Sequence, residues 1–356
     1  MRSTAPLRQL FLSILLALFA TGAWAAEPPI EIKVVVVTMF EIGSDTGDTA
    51  GEFQLWHERQ KLATRLPFAH HHDLFLNKQT GVLGMVTGMG TANSATAVMA
   101  LALDPRFDLS KAYWLVAGIA GVDPQDAPIG SAAWAEYLVD GDLAHEIDAR
   151  EMPKEWTSGY WPLHSAGPND PNRPGNNGEV FRLNPALTEW AYQLSREVKL
   201  PDNAGLQRTR AKFKGYPQAQ TPPYVLKGDN LAAMTFWHGK LLNDWANDWV
   251  KFWTGGKGNF VTSAMEDTGT YLSLSYVHPT GKVNKERLMV LRTASNYTMP
   301  PPGMTAAEHM RSENEGYSGL NDSVEAAYRV GSVVVDEVVS SWSKYRDHTP
   351  AAKVAE

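Results

Sequence analysis

From Glu31 the chain runs EIKVVVVTMF. Apolar residues without a polar alternation read as a strand buried on both faces, the kind found inside a parallel or mixed sheet. The stretch HHHDLFLNKQTGVLGMVTGMG predicts two strands joined by a short turn around residues 78–81. TANSATAVMALALD then predicts a helix with a small-residue start, and KAYWLVAGIAGV a third buried strand. Strand, helix, strand at this spacing is a crossover unit of an α/β domain. Residues 152–221 break the pattern. They are rich in Pro, Asn and Gly, as in HSAGPNDPNRPGNNGEV, and read as a surface insertion containing one amphipathic helix that starts near Asn184.

Regular patterning returns with HGKLLNDWANDWVKFW, where Trp245, Trp249 and Trp253 recur at helical spacing and read as a packing stripe. An apolar strand follows at Phe260, a helix from about Glu266, and the strand RLMVLRTASNYT. NDSVEAAYRVGSVVVDEVVSSWSKY predicts a long terminal helix opened by an Asn or Asp cap. The pattern describes one α/β domain over residues 30–345, a mixed central sheet flanked by helices, with the insertion at about 152–221.

Composition narrows what such a domain can do. With 44% hydrophobic residues and 12 each of Trp, Tyr and Phe, the 356-residue chain can bury a large core. It has no cysteine, so disulfides and thiolate metal sites are excluded. The net charge of -7, with no basic block, disfavours nucleic acid as a partner. Residues 1–25 carry Arg2 and Arg8, an apolar run and then Ala23 and Ala25, the order of a secretory signal peptide. The expected location is therefore periplasmic or secreted, with no membrane span in the mature chain. His70, His71 and His72 alternate along an extended segment without a supporting carboxylate–histidine helix pair, so no metal is expected there.

Two short stretches could carry chemistry. In VTGMGTANSA, Gly88 and Gly90 lie between a strand and a helix, where backbone amides can approach a ligand. Asn93 stands where a dinucleotide fingerprint requires a further glycine, which rules that fingerprint out. In SAMEDTG, Glu266 and Asp267 follow an apolar run, and either could be a helix-start charge.

Taken in order, VVVVTMFE, VTGMGTANSA, VAGIAGV, LKGDN, SAMEDTG and VLRTASNYT resemble the nucleoside phosphorylase and nucleosidase superfamily. The chain as a whole is similar to the purine nucleoside permease family, whose members carry that phosphorylase-like fold. The resemblance implies that Met265 and Glu266 match an active-site pair whose Glu accepts hydrogen bonds from ribose hydroxyls, leaving Asp267 as the helix-start charge. It implies that Asn296 touches the purine, where nucleosidases carry Asp. Asn can donate a hydrogen bond to a departing base but cannot transfer a proton. Glu41 becomes a candidate base, one residue out of register. Gly88, Gly90 and Thr91 become candidate ligand donors, and Phe236 or Trp237 a platform for the base.

Val116 and Ile119 stand where part of the family holds phosphate, and neither side chain binds an anion. Arg292 is charged but sits inside a strand motif. Phosphate remains open as a co-substrate, with no other cofactor expected. The implied function is an exported purine-nucleoside-binding protein acting in uptake, with an inner-membrane transporter as partner and a homodimer by analogy. The alternative is a periplasmic nucleosidase or phosphorylase that cleaves the N-glycosidic bond.

Overall fold

The computed structural model describes residues 28–69, 71–168, 170–313 and 319–350. The expected signal peptide and His70 lie outside the described residues. Twelve strands form one mixed sheet. They are β1 (Val34–Thr38), β2 (Thr64–Leu66), β3 (Leu74–Asn77), β4 (Val82–Val86), β5 (Tyr113–Val122), β6 (Ala132–Trp134), β7 (Tyr137–Asp140), β8 (Val180–Arg182), β9 (Val225–Lys227), β10 (Asp229–Ala232), β11 (Phe260–Ala264) and β12 (Leu288–Tyr297). Along one path they run β8-β7-β10-β11-β5-β1-β4-β3-β2, while β12 joins β5 to β6, and β6 pairs with β9.

The valine run settles at the centre because successive residues face opposite sides. Val35 and Val37 join the cluster beneath α2 (Thr91–Ala102) and α6 (Asp267–Val277). Val34 and Val36 join the cluster shared with α1 (Gln54–Arg59), α3 (Pro185–Ser195) and α8 (Leu320–Ser340). Helices therefore cover both faces, and β1 is hydrogen-bonded to β4 and β5, both parallel to it. The other helices are α4 (Ala204–Arg210), α5 (Lys240–Thr254), α7 (Ala306–Glu313) and α9 (Trp342–Tyr345). Among the described residues no helix is long and apolar enough to cross a membrane.

Two local expectations differ from the structure, at residues 152–221 and at the start of α8. Residues 152–221 are woven into the fold as well as lying on it: β8 pairs antiparallel with β7. α3 also buries Leu187 and Ala191 against the α8 face of the sheet. Its polar composition belongs to the loops between these elements. The cap of α3 is Asn184, whose side chain accepts from the amides of Ala186 and Leu187. α8, by contrast, starts after Gly319 without a side-chain cap, and Asn321 and Asp322 lie inside its first turn. The tryptophan stripe of α5 is buried, and Trp249 donates from Nε1 to the Asp140 carbonyl at 2.7 Å.

β5 and β12 place the functional region. They pair in parallel from Leu288 opposite Trp114 to Tyr297 opposite Val122. The register shifts between Ala294 and Asn296, so Ser295 is the extra residue of a bulge. Bulges re-aim side chains at the end of a strand, and this one sits where β5 also receives β11.

Candidate functional site

A cavity of about 320 Å³ opens at the carboxyl ends of β1, β5 and β12. That is where open α/β sheets bind ligands, and the volume lies at the small end of the range for small-molecule sites. Met39 and Phe40 contribute from the segment just after β1, and Ile119, Ala120 and Gly121 from β5. Ser295 and Asn296 come from β12, and Met265 and Glu266 from the end of β11. Met89, Phe236 and Trp237 form more of the wall.

At its floor is a buried charge cluster. Arg292 is inward-facing on β12 and 1% exposed. Its Nε donates to both Asp267 oxygens at 3.2 and 3.1 Å. Nη2 donates to Asp267 Oδ1 at 3.0 Å and to Glu266 Oε2 at 2.9 Å, while Nη1 donates to the Ile119 carbonyl at 3.1 Å. Burial alone would lower the guanidinium's pKa, but Asp267, Glu266 and Glu52 outweigh it and hold it raised. Asp267 is therefore no solvated helix-start charge. It is fully buried, and burial raises its pKa, against the pull of Arg292 and with a further push from Glu266.

Glu266 caps nothing through its side chain, although it occupies the N-cap position of α6. Its Oε1 accepts from the Gly90 amide at 2.9 Å, and Oε2 accepts from Arg292 and, at 3.2 Å, from the Met265 amide. A carboxylate has about four acceptor positions, so roughly one remains for a ligand. Gly90 adopts φ 93°, a left-handed conformation that turns its amide toward Glu266. Thr91 donates its hydroxyl to the Met265 carbonyl at 2.9 Å. Within residues 88–91, Gly90 and Thr91 thus hold the Met265–Glu266 pair. Among the four, Met89 is the one that lines the cavity.

Glu41, the candidate base, is not among the residues that line the cavity, whereas Glu52, which the sequence did not single out, is. The Glu41 carboxylate accepts from the amides of Ile42, Gly51, Phe53 and Gln54, pinning the loop that leads into α1. Glu52, at the end of that loop, faces the cavity. Its oxygens accept from the Met39 and Ile119 amides, each at 2.7 Å. Burial pushes its pKa up to about 8, opposed by Arg292 and reinforced by Glu266. Nothing in TAGEFQLW marks this acid. Only the return of the loop, with the Glu52 amide bonded to the Phe40 carbonyl at 3.1 Å, brings it beside β1. Gly118 makes room, since a Cβ there would lie 2.0 Å from Met39 Cε and 2.6 Å from Arg292 Nη1.

Asn296 reaches the cavity wall with Oδ1 accepting from the Ser295 hydroxyl at 2.9 Å. Its Nδ2 makes a long 3.3 Å contact to the Tyr297 carbonyl, leaving donor capacity on the amide. Phe236 is partly exposed at the rim, whereas Trp237 is buried against Trp245 and Phe260. The acid of LKGDN is structural. Asp229 accepts from the Glu136, Tyr137 and Asn259 amides, and burial pushes its pKa up to about 6.

The sequence profile describing the purine nucleoside permeases matches residues 31–350. A purine nucleoside permease of Candida albicans is 32% identical over 318 residues, covering 88% of this chain and 76% of the relative. A probable purine nucleoside permease of Schizosaccharomyces pombe is 28% identical over 279 residues, covering 75% and 78%. Among solved structures, the fold is similar to 5′-methylthioadenosine/S-adenosylhomocysteine nucleosidase from Helicobacter pylori, with a TM-score of 0.52 and 14% identity. That match covers 86% of this chain and 99% of the other. Futalosine hydrolase of the same organism gives a TM-score of 0.51 at 14% identity, covering 86% and 98%.

Proposed function

The chain belongs to the purine nucleoside permease family, and we propose that its cavity receives a purine nucleoside whose ribose is held by Glu266. The observation that carries this reading is the placement of Glu266 on the cavity wall, oriented by Gly90 and Arg292 with about one acceptor position left over. A carboxylate fixed in this way makes a charge-assisted hydrogen bond to a sugar hydroxyl without reorganising. Asn296 offers an amide donor to the base, and Phe236 at the rim covers its face. In this reading the chain acts outside the cytoplasmic membrane after loss of its signal peptide. Uptake then needs a membrane-spanning partner that accepts the ligand, and a homodimer is the proposed assembly.

Cleavage of the nucleoside is the second reading, and Glu52 is what favours it. A cavity-facing carboxyl with its pKa pushed up to about 8 can hold a proton at neutral pH and exchange it with water or a leaving base. Positive charge developing on the sugar would lie near Glu266. Water suits this site better than phosphate as nucleophile. Arg292 spends Nε and Nη2 on carboxylates and Nη1 on a carbonyl, so no parallel pair of donors is left for a phosphate.

Inosine binding by calorimetry, with free hypoxanthine assayed in the presence and absence of phosphate, separates the readings. Binding without release supports a carrier, and release without phosphate supports a hydrolase. No binding of inosine, guanosine or adenosine removes both. Glu266→Ala should abolish binding of ribonucleosides, and 2′-deoxyinosine should bind ~10- to 100-fold more weakly than inosine if a charged hydrogen bond to that hydroxyl is lost. Equal affinities would remove the ribose contact.

A further inference from the structure

A second group of chemically competent side chains lies outside the charge cluster. His309 and Glu313 stand four residues apart on α7, which puts them on one helix face. His238 approaches from the segment that follows Phe236 and Trp237. His238 Nε2 and His309 Nδ1 are 3.0 Å apart, and His309 Nε2 is 3.9 Å from Glu313 Oε1. One ligand atom from each residue lies within 4.8 Å of the other two, and among the described residues no other such trio occurs. The side chains of His309 and Glu313 are nine-tenths buried.

Protein groups alone leave this trio incompletely satisfied. His238 Nδ1 and Glu313 Oε2 are buried without a hydrogen-bond partner. Buried polar atoms without partners are uncommon and call for a specific explanation, of which an ion is one. Two imidazoles and a carboxylate make a donor set suited to Zn²⁺, with the fourth tetrahedral position left to water. The 3.0 Å contact between His238 Nε2 and His309 Nδ1 is a hydrogen bond as the rings stand, and the two nitrogens need part by only a few tenths of an ångström to span the ~3.3 Å edge of a tetrahedron with metal–nitrogen bonds of about 2.0–2.1 Å.

We propose that His238, His309 and Glu313 form a Zn²⁺ site that clasps α7 to the segment bearing Phe236 and Trp237. Its place is beside the nucleoside cavity, and it does not depend on what that cavity binds. The sequence carried the signal as H-x-x-x-E in HMRSE, away from the three adjacent histidines near residue 71.

The test uses the chain without any affinity tag, stripped with a chelator and titrated with Zn²⁺ against a chromophoric competitor. One equivalent should bind, and Co²⁺ in its place should show the intense visible absorption of a tetrahedral centre. His238→Asn, His309→Asn and Glu313→Gln should each weaken uptake by at least ~10-fold, the lower end of what even indirect support of a metal is worth. His71→Asn and His145→Asn should leave it unchanged. Zn²⁺ should also raise the unfolding temperature of the wild type and not of the three ligand variants. Circular dichroism establishes that the variants are folded. Absence of stoichiometric uptake by the wild type, or equal affinity in the folded ligand variants, overturns the proposal.

Discussion

Replacing Glu52 with Gln tests how the cavity handles charge. Burial raises this carboxyl from its ordinary 4.5 to about 8. Between those limits the folded chain retains a proton that the unfolded chain has released. Stability contributed by this group is therefore fully present below about 4.5 and is lost as pH rises toward 8. At about 1.4 kcal/mol per pH unit, the interval corresponds to a loss of roughly 5 kcal/mol. Glu52→Gln stays neutral and cannot contribute that slope, although its amide meets one of the two backbone N–H groups that the carboxyl oxygens accept from. The variant should start less stable at pH 5, by about 1–3 kcal/mol for the mismatched bond, and match or exceed the wild type at pH 9. Urea unfolding at intervals from pH 5 to 9 gives the two curves. Their difference isolates Glu52 from other groups titrating in the same range. Parallel curves would refute the argument and mean that Glu52 is ionised across the whole range.

Arg292→Met should be more damaging, because it leaves Glu266 and Asp267 buried without their counter-ion; a loss of about 3–5 kcal/mol corresponds to a melting point about 4–7 °C lower in a chain of this size, measurable by calorimetry. Gly269→Ala would put a Cβ 2.4 Å from the Thr91 carbonyl, so α2 and α6 must separate; stability should fall by about 1–3 kcal/mol, and inosine affinity should fall with it. If the cavity cleaves nucleosides, Asn296→Asp should speed hypoxanthine release by ~10-fold or more by adding a group able to donate a proton to the base, as seen in single-turnover assays. An unchanged rate would mean that proton delivery to the base does not limit cleavage.

Much of the fold was legible because it rests on local patterns. The valine run, the turn between β3 and β4, the cap at Asn184 and the α5 tryptophans each announce their element within a few residues. The short strands β6, β7, β9 and β10 did not, since their three or four residues are held by partners distant in sequence. The site divides in the same way. Met265, Glu266 and Asn296 stand in recognisable local motifs, and the structure brings all three to one cavity. The role of Asp267 depended on Arg292, 25 residues away, and that of Glu52 on a loop closing back onto β1. Glu41 carried the same chemical type in a more suggestive position, but its oxygens are occupied by backbone amides. Residue type was readable, and lone-pair occupancy was not.

The two sides of the cavity differ in what change would cost them. On one side Glu266, Asp267, Arg292 and Gly118 are mutually dependent and buried, so a substitution at one disturbs the others. On the other, Met89 and Phe236 are 60% and 43% exposed, where replacements usually alter stability by no more than about 0.5 kcal/mol. Under the proposed nucleoside reading, descendants of this sequence could therefore diverge in the heterocycle they accept while inheriting the same buried carboxylate–arginine cluster. Related chains should show their greatest variation at the Met89 and Phe236 positions.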